Sequence, residues 1–334
     1  MNRKERRRLE KQAQKNAGAA GRIKNAPSNG MGQTAPTDVS NALFNHAVNS
    51  TASAETSELD WELGQISNQL ANGFTGDALV SCQRLNLQHP QNSDIQLLSG
   101  IAHFMSQQWS KATECFEIVL LSNPNNTQAL NYLGDLAIEQ NDLTAAEDYF
   151  RRAAMASPGD PDTLQRLAYV LQRLENMTDA AEIYRQLLET TPETAEVRLN
   201  YGYALFKSDQ TKAAIKEYHQ AIKLNPSLGL AQINLGMALS ELDEDEDAIA
   251  AFRRGLKSMP THIDGLFGIA RCLRAVDEYQ EAADYFQKAL DLAPNRTVEF
   301  WELGYSLELA GDKEGGQKAY EKCLDHNPNH SVAR

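Results

Sequence analysis

Apolar residues recur along most of this chain at helical spacing, as in Leu130, Leu133 and Ala137, and the pattern itself repeats. Eight prolines keep its register. Pro90, Pro124, Pro158, Pro192, Pro226, Pro260, Pro294 and Pro328 stand 34 residues apart, with no insertion or deletion. A fixed period of this size marks a stack of identical supersecondary units. With the proline numbered 32, the repeats begin at Leu59, Ser93, Thr127, Pro161, Ala195, Gly229, Ile263 and Thr297. Position 8 is small in seven of them (Gly100, Gly134, Ala168, Gly202, Gly236, Ala270, Gly304), with Ile66 the exception. Position 20 is alanine from Ala78 to Ala282 and then Gly316. Position 24 is a ring in seven (Phe116, Phe150, Tyr184, Tyr218, Phe252, Phe286, Tyr320), with Cys82 in the first.

These marks predict two antiparallel helices per repeat. The small residue at 8 meets the small residue at 20, so the backbones approach closely, and the ring at 24 fills the space beside that contact. The turn falls near position 15, which is Gly73, Asn141, Asp209, Asp243, Asp277 and Gly311 in six repeats. Those residue types tolerate the left-handed conformation that ends a helix. Proline at 32 removes a backbone donor and stops the second helix.

The pattern resembles the tetratricopeptide repeat, over about residues 59–330. The resemblance implies an all-α fold, an α-solenoid superhelix of antiparallel helix pairs. The first repeat, with Ile66 and Cys82 off the pattern, is read as a capping unit. The resemblance also implies a concave groove lined by the first helices, in which family members grip peptides with positions 2, 5, 6, 9, 12 and 13. Position 6 carries Arg166, Asn200 and Asn234 in three consecutive repeats. Position 9 carries Tyr169, Tyr203, Met237, Arg271 and Tyr305, position 5 adds Phe267 and Trp301, and position 12 adds Phe206 and Arg274. Asparagine can bond a peptide backbone both ways, arginine grips carboxylates with two prongs, and rings give rigid apolar contact. The opposing reading is that such rings only pack between neighbouring first helices. The lysine at 5 and asparagine at 9 of repeats that hold chaperone C-termini are absent. Asn200 and Asn234 look like two rungs of the asparagine ladder in the repeat arm of the nucleocytoplasmic sugar transferase.

Charge divides the chain. The net charge is −13, yet residues 1–24 hold nine Lys and Arg against two Glu, so removing their +7 leaves −20 on the rest. An acidic body argues against general nucleic-acid binding by the repeats. The basic arm, 1–24, is read as a solvated tail that also visits its own acidic body, with RNA or an anionic lipid surface as the alternative partner. Residues 25–58, rich in Asn, Ala, Ser, Thr and Gly, read as a flexible linker with a transient helix around Ala42 to Val48. No apolar run approaches the ~20 residues of a membrane span, and no apolar region follows the N-terminal charges as in a secretory signal. Cys82, Cys115, Cys272 and Cys323 read as free thiols, most of them at core positions. A cytoplasmic location is therefore expected.

At the other end, the last second helix is expected to expose apolar residues near Ala319, Cys323 and Leu324, and Ser331 to Arg334 to open a cap or a further helix. A continuation of the chain is the first reading, and self-association through the last repeat the second. No phosphate loop, dinucleotide fingerprint, nucleophile elbow or zinc-protease motif is present, so no catalysis and no cofactor are expected. The acidic run Asp243 to Asp247 lacks the glycine and terminal glutamate of a calcium loop and is read as a helix start. The chain is thus expected to be a non-catalytic scaffold binding peptide segments in its groove. The alternative is the substrate-recruiting half of a transferase, since a basic N-terminus followed by repeats is similar to bacterial repeat-bearing methyltransferases and glycosyltransferases.

Overall fold

The computed structural model describes residues 58–190 and 193–326. The basic arm, nearly all of the linker and the segment 331–334 lie outside the described residues. Among the described residues there are sixteen helices and no strand, two helices to each repeat. The first helices are α1 (Glu58–Ala71), α3 (Ser93–Met105), α5 (Thr127–Glu139), α7 (Pro161–Arg173), α9 (Ala195–Lys207), α11 (Gly229–Glu241), α13 (Ile263–Ala275) and α15 (Glu299–Ala310). The second are α2 (Thr75–Gln88), α4 (Trp109–Ser122), α6 (Leu143–Ala156), α8 (Met177–Thr190), α10 (Thr211–Leu224), α12 (Asp245–Ser258), α14 (Tyr279–Leu292) and α16 (Lys313–His326). The chain forms two compact bodies, residues 1–170 and 171–334, divided within α7. In each body the helices of a repeat pack on one another, and the second helix of one repeat packs on the first helix of the next.

The helix ends follow from local backbone chemistry. The second helices stop one residue earlier than loss of the proline donor alone would require. His89, Asn123, Asn225 and Ala293 precede the prolines at φ between −133° and −137°, out of the helical region. The proline ring excludes the helical conformation from its preceding residue, and that residue caps the helix. At the start of the first helices, Asn92 and Asn126 accept bonds from backbone N–H groups two or three residues on. This satisfies donors that the helix itself leaves unpaired. The turn at position 15 is left-handed in all eight repeats, including Gln107 (φ 57°) and Glu175 (φ 60°), which composition did not mark. The acidic run forms the turn and first helical turn of α12, with Asp245, Glu246 and Asp247 at its positive end.

The core is built from rings laid on small residues. A Cβ added at Gly100 would lie 2.6 Å from the Phe116 ring, at Gly134 2.5 Å from Phe150, and at Gly202 2.7 Å from Tyr218. The ring therefore covers position 8 directly rather than filling space beside it. The small-to-small contact holds as well: a Cβ at Gly202 would meet the Ala214 carbonyl at 3.3 Å, and one at Gly304 the Gly316 carbonyl at 3.0 Å. The first repeat exchanges the sizes, with Ile66 large at 8 and Cys82 small at 24, each only 1% exposed. The same ring reaches into the following repeat. Phe116 stacks on Tyr132 at 5.1 Å, and a Cβ at Gly268 would meet Phe252 at 2.5 Å.

One expectation needs correction. Ala319 (4% exposed) and Cys323 (0%), expected to be exposed, are buried within the last hairpin, while Leu324 is half-buried. Cys82, Cys272 and Cys323 are buried and Cys115 is half-buried, and burial pushes the Cys115 thiol up to about 11.

Two substitutions test these contacts. Gly134→Ala must move a packed ring and is expected to cost ~1–3 kcal/mol, read as a lower urea midpoint. Glu175→Gly relieves a left-handed residue and is expected to raise stability by up to ~1 kcal/mol in the same assay.

Candidate binding surface

The first helices are neighbours within each body, and their side chains meet in a fixed register: position 9 of one repeat faces position 6 of the next. In the N-terminal body this pair is Asp135 and Arg166, whose Oδ1 and Nε lie 3.2 Å apart. In the C-terminal body it is Arg271 and Glu302, with the charges reversed. Arg271 donates through Nε to both carboxylate oxygens at 3.0 Å and through Nη2 to Oε1 at 2.8 Å. Arg274, at position 12, adds a contact to Glu302 at 3.5 Å. The 31-residue separation follows from the 34-residue period and the helical spacing of 6 and 9.

The two pairs differ in electrostatics. Burial pushes the Asp135 carboxyl up to about 6 against the pull of Arg166, and its Oδ2 is a buried oxygen with no hydrogen-bond partner. Burial also works to raise Glu302, but Arg271 and Arg274 outweigh it and hold the carboxyl below its ordinary range. Arg274 is 6% exposed, with the Phe286 and Tyr305 rings each 5.6 Å from its guanidinium carbon. Its Nη1 finds no acceptor, so ring faces supply what a second carboxylate would.

The structure divides the residues singled out by sequence. Asn234, Phe267 and Arg274 are buried, and they support the surface from below. Tyr169 and Arg166 are half-buried on α7 in the N-terminal body. In the C-terminal body Asn200, Tyr203 and Phe206 on α9, Met237 on α11, and Trp301 and Tyr305 on α15 are half-buried, while Arg271 on α13 is exposed. Trp301 and Tyr305 stack at 5.5 Å with their planes 7° apart. Lys207 stands 5.6 Å over the Tyr203 ring. Glu302, at position 6, is not among the residues singled out by sequence, yet it is the carboxylate that fixes two of the predicted arginines. The signal for it was the arginine 31 residues earlier.

A second exposed set was passed over. Leu87, Leu121 and Met155, at position 29 of the first three repeats, are 87%, 85% and 77% exposed. The same position is charged in the other five repeats, from Glu189 to Asp325. Among the described residues no helix is long and apolar enough to cross a membrane, and no His, Cys, Asp or Glu cluster could hold a metal ion.

Removing Glu302 strands a buried guanidinium. Glu302→Ala is expected to destabilise the C-terminal body by ~3–5 kcal/mol in urea unfolding, and Arg271→Ala by the smaller ~1–3 kcal/mol, because Arg274 still faces the buried carboxylate. Asp135 gives a pH test. Its folded carboxyl binds a proton more tightly than the unfolded one, so its penalty is present above about pH 6 and relieved towards pH 4. Stability against urea is expected to fall as pH rises from 4 to 6, with Asp135→Asn flattening that slope.

Profiles of the tetratricopeptide repeat match residues 97–161 and 203–263, 137–199, 263–296, and 300–330, which together span most of the array. Comparison with curated protein sequences gives no match. Among solved structures, MamA is 25% identical, over 51% of this chain and 93% of that one, with a TM-score of 0.47. Pseudomonas aeruginosa PilF is 20% identical over 62% and 94%, with a TM-score of 0.53. A tetratricopeptide repeat protein from Parabacteroides merdae is 16% identical over 72% and 95%, also with a TM-score of 0.53. PilF and the Parabacteroides protein share the fold. The repeat register, the paired helices and these profiles agree: the chain belongs to the tetratricopeptide repeat family.

Proposed function

We propose that this chain is a non-catalytic scaffold that holds a segment of a partner protein on the first-helix surface of its C-terminal body. Membership in the family supports a protein-interaction role in general. The observation that carries the finer reading is the set of half-buried apolar side chains on three first helices of this body: Tyr203 and Phe206 on α9, Met237 on α11, and Trp301 and Tyr305 on α15, with Arg271 on the intervening α13. Rings and methionine offer a large contact area at low entropic cost.

The electrostatics narrow the kind of segment. Arg166, Arg271 and Arg274 already face carboxylates of their own chain, so they are poor hooks for an acidic peptide. Apolar side chains of the partner supply the binding energy in this reading, and Asn200, beside the rings, is placed to bond its backbone. Arg271, pinned by Glu302 with 43% of its side chain exposed, offers a fixed flat surface rather than a free charge.

Affinity purification with the full chain as bait tests this. Trp301→Ala with Tyr305→Ala, and separately Tyr203→Ala with Phe206→Ala, are expected to reduce partner recovery about ten-fold or more. Recovery should survive 0.5 M salt, because apolar contact is not screened. Unchanged recovery in both double variants, with helicity intact by circular dichroism, contradicts the reading.

A further inference from the structure

Three of the rings at position 24 are tyrosines, all in the C-terminal body: Tyr184, Tyr218 and Tyr320. Two of them send their hydroxyl to position 12 of their own repeat. Tyr184 donates to Oε1 of Gln172 at 3.1 Å, and Tyr320 donates to Oε2 of Glu308 at 3.0 Å, each acceptor 12 residues earlier in the chain. Tyr218 breaks the correspondence. Position 12 of its repeat is Phe206, whose side chain has no acceptor. The Tyr218 hydroxyl is buried and has no hydrogen-bond partner, and the residue is 0% exposed. Burial, and to a smaller degree the neighbouring Tyr203, hold this hydroxyl above the ordinary tyrosine range.

The place of this hydroxyl ties it to the candidate surface. By the register of Tyr184 and Tyr320 it points at Phe206, which is half-buried in the last turn of α9, one turn beyond the half-buried Tyr203. A buried hydroxyl without a partner costs free energy, and native chains satisfy nearly all such groups. The other two tyrosines show which acceptor suits which depth. Tyr184, 2% exposed, takes the uncharged carboxamide of Gln172, whereas the half-buried Tyr320 takes the carboxylate of the exposed Glu308. Tyr218 is as deep as Tyr184. A carboxylate brought to that depth loses far more hydration than an amide, so the acceptor that fits is neutral.

We propose that the bound segment inserts a glutamine or asparagine side chain between Tyr203 and Phe206, and that its carbonyl accepts the hydrogen bond that Tyr218 donates. This rests on the reading of the C-terminal first helices as the partner surface, and it names the residue that selects the segment. Phe206 turns aside, and the partner supplies from outside what Gln172 supplies to Tyr184 from within. Tyr203 and Phe206 are then the apolar walls of the site, and Tyr218 is its specificity-determining residue. A leucine of similar size in the partner fills the same space and leaves the hydroxyl unpaired, so it is rejected.

A random-peptide library displayed on phage, panned against the full chain and against Tyr218→Phe, tests the proposal. Peptides held by the unaltered chain are expected to carry glutamine or asparagine at one fixed place among apolar residues, and those held by the variant to lack it. For one such synthetic peptide, Tyr218→Phe and the peptide's glutamine→leucine change should each weaken binding about ten-fold, and both together no further. In urea, Tyr218→Phe should leave the unfolding midpoint unchanged or higher, whereas Tyr184→Phe, which breaks the bond to Gln172, lowers it. A midpoint lowered by Tyr218→Phe means that the free protein already satisfies the hydroxyl, and overturns the proposal. Peptides with no amide preference, with an acidic one, or with one that Tyr218→Phe retains overturn it too, and leave the partner surface standing. A library that yields no peptide dependent on Tyr203 with Phe206 or on Trp301 with Tyr305 overturns the surface itself, and this inference with it.

Discussion

The contact on which the structure depends is an aromatic ring laid on a residue with no room for a larger side chain. The ring at position 24 does two jobs. It covers position 8 of its own repeat, holding the hairpin closed, and it reaches position 6 of the next, holding one hairpin on another. Phe252 shows both, lying over Gly236 and over Gly268. Because interiors are close-packed, one ring with two such neighbours fixes the distance and the rotation between successive hairpins. A solenoid has no single centre, so this contact must be made again at each step.

The register of the surface follows from that spacing. Once one hairpin is fixed on the next, position 9 of a first helix must face position 6 of the following one. The chain uses this geometry twice for ion pairs of opposite sense, Asp135 with Arg166 and Arg271 with Glu302. The second is built out with Arg274 and two rings; the first leaves a buried carboxylate oxygen without a partner. In the C-terminal body, position 9 of the two repeats before the second pair carries Tyr203 and Met237, and position 6 carries the amides Asn200 and Asn234. Charge fixes the orientation of the first helices, and in the proposed function the rings and methionine take the contact with another protein.

Much of this was legible in the sequence because it rests on strict periodicity. The helix pairs, the small residues at 8 and the left-handed turn at Asn141 or Asp277 follow from residue type at fixed intervals. The misses have physical causes. Gln107 and Glu175 adopt the left-handed turn although their types disfavour it, because the packing of both flanking helices imposes it. Asn234, Phe267 and Arg274 share a helix with surface residues, and a position number does not say how deep a side chain lies. Glu302 matches none of the residue types expected at position 6, and only proximity to Arg271 and Arg274 shows its role. Ala319 and Cys323 seemed exposed because no repeat was seen to follow them, yet the last hairpin buries them itself.

Position-specific photo-cross-linking tests the central claim most directly, that stacked hairpins display a first-helix surface that holds a partner. A photoreactive residue placed at Tyr203 or at Tyr305 should capture the same partner protein, and one at His219, exposed on α10, should not. Capture from His219 with none from Tyr203 or Tyr305 would contradict the account.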